Sequence, residues 1–503
     1  MKAHLLYAQH DFDFDGELPP NSQDLIQDLG LSTLFESMAQ GDKFILDVSK
    51  RVMLTSLTDS EEITYRQHIL ADCIAYPEMA RRLYEITVTS VRAKKGLWGH
   101  RSSHFPSSIL SGAVRELEMF VGLLKQLRVL ADGFVGQVHS DGFVTLFRSL
   151  QTDLDDEYFT TIDRHLKRLR FQDGVLMSAE LYKDNSGTNY ILRSPLDIKL
   201  GWKERIGIGP RSSYTFAIPS RDEAGANALS DLVNRGLNTV ANATAQSADH
   251  IESYFSMLRS ELGFYIGCLN LKEQLQEMNQ PTCFPVPIAW NNVELTFTEL
   301  RDASLALRAQ GPIVGNDIDA AGNMLILITG ANSGGKSTFL RSVGLAQLMM
   351  QCGMFVTAES YRANVSTGIF THFIREEDAS MRSGRLDEEL LRMSTITDQL
   401  TSHSIVFFNE SFAATNEREG SEIARQIVRA LLDAHVKVLF VTHQFDFAES
   451  FCNRQNGNVA LFLRAERDAD GHRNFKLVKR EPLPTSYGED LYNKVFLSSS
   501  NPN

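Results

Sequence analysis

Two hydrophobic rhythms divide this chain. From about residue 45 to 170 apolar positions recur at helical spacing, and near 174 the period changes to two. Thr58 with Glu61 three residues on predicts a capping box, and Ile63, Gln67 and Leu70 then keep to one helical face. The stretches 109–134 and 158–171 predict two further amphipathic helices. GVLMSAELY, NYILRS and SYTFAIP then alternate as three strands, separated by KDNSG and a Gly- and Lys-containing stretch. Long helices return over 222–280, and NQPTCFPVP breaks them, which predicts a domain boundary near 280–290. Beyond it, apolar strands (NMLILITG, SIVFFNE, VKVLFVTH) alternate with helices, the pattern of a parallel α/β sheet.

The expected organisation is therefore an acidic arm or cap (1–45), a mostly helical domain (46–285) with a β-rich insertion at about 172–220, and a C-terminal α/β domain (286–503). A length of 503 residues agrees with two or three domains. A formal charge of −13 argues against coating nucleic acid through bulk charge, while leaving room for a local basic groove. No apolar run approaches the length of a membrane span, and the N-terminus lacks a signal-peptide pattern. The five cysteines are scattered without a CxxC pair, so free thiols in a reducing cytoplasm are expected.

The chemistry concentrates in GANSGGKS, residues 330–337, which fits G-x-x-x-x-G-K-[ST] between an apolar strand and a helical pattern. Gly330, Ala331, Asn332, Ser333, Gly334 and Gly335 would wrap backbone N–H groups around phosphates at a helix N-terminus. Lys336 would reach the β- and γ-phosphates, Ser337 would ligate Mg²⁺, and Thr338 follows in the same turn. The second strand ends in Asn409 and Glu410, where a nucleotide-hydrolysing loop fold usually carries Asp-Glu. Glu410 keeps the general-base role, whereas Asn409 offers Mg²⁺ an oxygen without a charge. His443, at the tip of the third strand, is placed to sense the γ-phosphate.

The segment ITGANSGGKSTFLRSVGLAQLMMQCGMFVTAES (328–360) resembles the ATPase domain of the MutS mismatch-repair family. GIFTHF (368–373), SGRLDEELLRM (383–393), NESFAATNEREG (409–420), VTHQFDFAE (441–449) and FKLVKREPLPTSYG (475–488) are similar to further motifs of that family, in order. LTSLTDSEEITYRQHIL resembles the start of the family's helical lever domain. The resemblance implies a Mg²⁺-dependent ATPase of the P-loop, ABC-like class. It implies a homodimer formed through the ATPase domains, with Ser383 touching the nucleotide bound by the partner. The family's adenine-stacking aromatic corresponds to Ile313 here, which leaves stacking to Phe475. AATNE (413–417) departs from the family's GRGTS, and with Asn409 this predicts slow hydrolysis with binding retained.

A mismatch-reading domain and its Phe-x-Glu motif have no counterpart in the N-terminal residues, and the DNA clamp reads as shortened. The basic-aromatic cluster Arg92, Lys94, Lys95, Trp98 and Arg101 is a candidate DNA contact, with a solvated loop as the plainer reading. Arg164, Lys167 and Arg168 read as a solvated helix face. Two functions follow: an ATP-dependent, MutS-type DNA-binding protein clamping mismatched or branched DNA, or an ATP-gated switch binding protein or RNA.

Overall fold

The structure is a computed structural model describing residues 2–97, 105–172, 174–184, 186–194, 216–309, 311–331, 333–375, 384–452, 460–466 and 473–483. The chain divides into two compact units, one of Met1–Ala3, Arg81–Gln137 and Val144–Arg259, the other of His4–Ala80, Val138–Phe143 and Ser260–Asn503.

The first unit is mainly helical. Pro at the first turn starts helix Pro106–Phe134, and the Asp155 carboxylate caps helix Asp156–Leu169 by accepting from Tyr158 N–H. Strands β1 (Met177–Leu181) and β2 (Gly187–Leu192) form an antiparallel hairpin. The third expected strand does not form in its described part. Residues 216–219 are irregular and Phe216 is 84% exposed, so that stretch has neither a ladder partner nor a face to bury. Arg164, Lys167 and Arg168 are exposed on their helix, as a solvated face requires. Helix Glu223–Glu277 begins in this unit and ends in the other.

The second unit combines N-terminal residues with the C-terminal half of the chain. Of the two readings for residues 1–45, arm or cap, the solvated arm does not fit: helices Ser22–Asp28, Leu31–Ala39 and the start of Lys43–Leu54 lie there, and Leu5 and Leu6 are fully buried. The aspartates face out while Phe14 stacks on Phe44 at 5.6 Å, so an acidic sequence hides an apolar side. Arg66, fully buried, satisfies its guanidinium on the carbonyls of Leu6 (3.0 and 3.2 Å) and Cys352 (3.2 Å). The cap of helix Ser60–Ala75 is Asp59 rather than Thr58, because the Asp59 side chain accepts from Glu61 N–H at 2.8 Å. Past the end of the long helix, where a boundary is expected at 280–290, Cys283 bridges Val356, and β3 (Val286–Ile288) pairs with β7 (Ser360–Asn364). The prolines there stop the helix without isolating the strand.

That small sheet has the order β3-β7-β4-β5, with β4 at Leu295–Leu300 and β5 at Asn316–Asp319. The main sheet has the order β12-β11-β6-β10-β9-β8. Here β6 is Leu325–Gly330, β8 Ile369–Phe373, β9 Ile405–Asn409, β10 Lys437–Val441, β11 Leu461–Ala465 and β12 Leu477–Lys479. Its strands are parallel except β12, the mixed α/β architecture expected. Continuous apolar runs such as IVFF and VLFV suit strands covered on both faces, and Phe408 stacks on Phe440 at 4.9 Å within the core. The parallel strands end together, with Asn409 opposite both Val441 and Phe373, so their following loops share one edge.

Candidate nucleotide site

At that edge β6 runs through a tight loop into helix Lys336–Gln351. Gly330 and Gly335 have φ of +107° and +90°, which side-chain-bearing residues adopt only under strain. At Gly330 a Cβ would also meet the Ala465 backbone at 2.6 Å, so glycine is doubly required. Lys336 is buried, its ammonium donating to the carbonyls of Gly330 and Ala331 at 3.0 Å each. Burial pushes its pKa down to about 8, opposed by the nearby Glu410 carboxylate.

The loop lines a cavity of ≈ 830 Å³. Ser333, Gly334, Gly335, Ser337 and Thr338 form one wall; Ile313, Glu410, His443 and Phe475 face the same space. Asn332 lies outside the described residues. Phe475 is 47% exposed and approaches the loop, a Cβ on Gly335 lying 3.5 Å from its own. Its segment is fastened by Asn316, whose Oδ1 accepts from Leu477 N–H at 2.8 Å, and by Lys476 paired with Glu299 at 2.9 Å. Ile313 is half-buried across the cavity.

The tip of β9 brings both expected residues to the loop. Ser337 Oγ donates to Asn409 Oδ1 at 2.9 Å. Two neutral oxygens, one on the first helical turn and one at the tip of β9, fit a hard cation such as Mg²⁺, with less attraction than a carboxylate would supply. Glu410 follows at φ +55°, its N–H donating to Val441 O at 2.9 Å. His443 Nε2 donates to Glu410 Oε1 at 2.8 Å, and this hydrogen bond above all holds the Glu410 carboxyl below the usual range. Glu410 is therefore ionised near neutrality, the form a general base needs.

Ser383 and Arg101 lie outside the described residues, and of the Lys94 and Lys95 side chains nothing is described; Arg92 is exposed on helix Pro77–Leu97. The supporting residues Asn316, Glu389, His372 and Gln444 are absent from the sequence reading. His372, Glu389 and Gln444 fall inside segments that resemble family motifs, but only their packing partners single them out as individual residues.

Comparison with known proteins adds a family context. The MutS2 N-terminal domain model matches residues 58–278, and the MutS domain V model matches residues 326–499. The second is a P-loop ATPase-type domain, so the site lies where its nucleotide fold is expected. The DNA mismatch repair protein MutS of Porphyromonas gingivalis is 36% identical over 181 residues, 35% of this chain and 20% of that protein. That of Thermus aquaticus is 32% identical over 178 residues, 22% of its length. Endonuclease MutS2 of Streptococcus pyogenes serotype M49 is 25% identical over 365 residues, 68% of this chain and 44% of that protein. The chain thus spans a fifth to under half of the length of these relatives.

Proposed function

The chain belongs to the MutS family, and we propose that it is an ATP-dependent DNA-binding protein with a slow ATPase. The observation that carries this reading is the meeting of the phosphate loop with the Glu410–His443 pair at one sheet edge.

In this reading the loop amides and the Lys336 ammonium hold the β- and γ-phosphates, and the base lies between Ile313 and Phe475. Lys336 exchanges its two carbonyl partners for phosphate oxygens, a charge-assisted replacement. Glu410 accepts a proton from the attacking water through its carboxylate, while His443 fixes that carboxylate and reports on the γ-phosphate. A magnesium ion held by Ser337 and, through its own water, by Asn409 would neutralise charge on the phosphates. Asn409 lacks the negative charge of an aspartate, so metal is held weakly and turnover is slow.

The family supports pairing of two ATPase domains, with Ser383 completing the partner's site. It also supports a cytoplasmic protein whose nucleotide state changes how DNA of mismatched or branched structure is held. No described helix is long and apolar enough to cross a membrane. The endonuclease activity in the name of the Streptococcus relatives is not carried over, because the match covers 44% of those proteins.

The net charge of −13 favours a second reading, an ATP-gated switch for a protein or RNA partner. Titration of branched, mismatched and plain duplexes at low and moderate salt, with and without ATP, separates the two. The DNA reading expects salt-dependent binding tighter than roughly micromolar that responds to ATP. Weaker binding to all three duplexes at low salt removes it.

A further inference from the structure

The backbone just beyond Glu410 is held in a costly shape. Glu410 and Phe412 both have positive φ, +55° and +62°, although neither is glycine. Each such residue costs on the order of 1–3 kcal/mol and persists only where its surroundings over-determine it. Phe412 N–H donates to the carboxylate of Glu389, which projects from helix Arg385–Thr397. The Phe412 carbonyl accepts from Gln444 Nε2 at 3.1 Å. Between them Ser411 Oγ donates to the His372 carbonyl at 2.6 Å, pinning the loop to β8. His372 Nε2 lies 2.9 Å from the Glu389 carbonyl, so that nitrogen carries the ring proton and the same helix is gripped twice.

Glu389 is unusual in this setting. It is 4% exposed, whereas on the same helix Asp387 is exposed and Glu388 half-buried. Burial raises its pKa, and the Phe412 amide is the foremost group opposing that rise. A buried carboxylate whose principal contact is one backbone amide serves that amide.

We propose that Glu389 is a positioning residue for ATP hydrolysis: its grip on the Phe412 amide fixes the strained loop that aims Glu410 at the attacking water. The inference rests on the reading of Glu410 as the base. With Ser411 anchored to β8, release of the Phe412 amide lets the peptide units on either side of Ser411 relax, and Glu410 swings with them. Any tilt of helix Arg385–Thr397 is then felt at the catalytic carboxylate.

The test measures turnover and binding of a fluorescent ATP analogue by the full chain, for the wild type and for Glu389→Ala, Glu389→Gln and Glu410→Gln. Glu389→Ala lowers kcat by at least about tenfold and leaves the nucleotide Kd within about twofold. Glu389→Gln, which keeps an acceptor oxygen, recovers kcat to within about threefold of wild type. If the alanine protein does not fold, the near-isosteric Glu389→Met takes its place with the same thresholds. A kcat within about twofold of wild type in Glu389→Ala, or a glutamine variant as slow as the alanine one, overturns the proposal. Unchanged turnover in Glu410→Gln overturns the base assignment itself; lost turnover there with normal turnover in Glu389→Ala overturns only the positioning role.

Discussion

Two loops at the same sheet edge solve the same backbone problem by different means. The phosphate loop reaches positive φ at two glycines, Gly330 and Gly335, and at one residue with a side chain, Ser333 (φ +56°). The loop after β9 reaches it with Glu410 and Phe412, and depends on Glu389, His372 and Gln444 from three other segments. The first conformation is written mainly into its own glycines. The second is imposed from a distance, so it can move with the elements that impose it.

The contrast can be broken most sharply at Lys336. Lys336→Ala removes the buried ammonium and should weaken binding of an ATP analogue by about a hundredfold or more, read by fluorescence titration. Retained affinity would mean that phosphate lies elsewhere. Next in size, Gly330→Ala forces a Cβ into the Ala465 backbone at positive φ and should cost roughly 2–4 kcal/mol of stability. Gly335→Ala, with its nearest neighbour at 3.5 Å, should cost only about 1–2 kcal/mol. Equal losses in thermal or denaturant melts would contradict the distinction between clash and strain.

A smaller effect is expected at the metal side. Asn409→Asp should lower the Mg²⁺ concentration needed for half-maximal turnover by about tenfold, because a carboxylate replaces an amide beside Ser337. An unchanged Mg²⁺ titration would place Asn409 away from the metal. Near pH 8 the change is smaller still, and it grows as pH rises. The Lys336 pKa is lowered to about 8, and only the protonated form attracts phosphate. Affinity should be held below pH 8 and fall as pH climbs beyond it, approaching a tenfold loss per unit. Bound phosphate favours the charged amine, so binding takes up protons in that window; a flat profile to pH 9.5 would contradict the burial argument.

The same division explains what could be read without the structure. The phosphate loop, the apolar strands and the Asn409–Glu410 tip were legible because glycine, β-branched and aromatic runs act locally. The choice between arm and cap for the N-terminal residues stays open in the sequence because alternating aspartates mask Phe12 and Phe14, and Leu5 is held by Glu261 and Tyr265, far along the chain. Glu389 in LDEELL looks like its solvated neighbours; its burial follows from where the Phe412 amide arrives, which spacing does not encode. The bridge from Cys283 to Val356 across the expected boundary at 280–290 is likewise invisible in the spacing.

The most direct measurement is a paired assay on Glu410→Gln: nucleotide affinity by titration and single-turnover hydrolysis of γ-labelled ATP under identical conditions. The account predicts affinity within about twofold of wild type and hydrolysis at least about a hundredfold slower, because the cradle is untouched and the proton acceptor is gone. Hydrolysis at the wild-type rate, or loss of binding together with turnover, would contradict it.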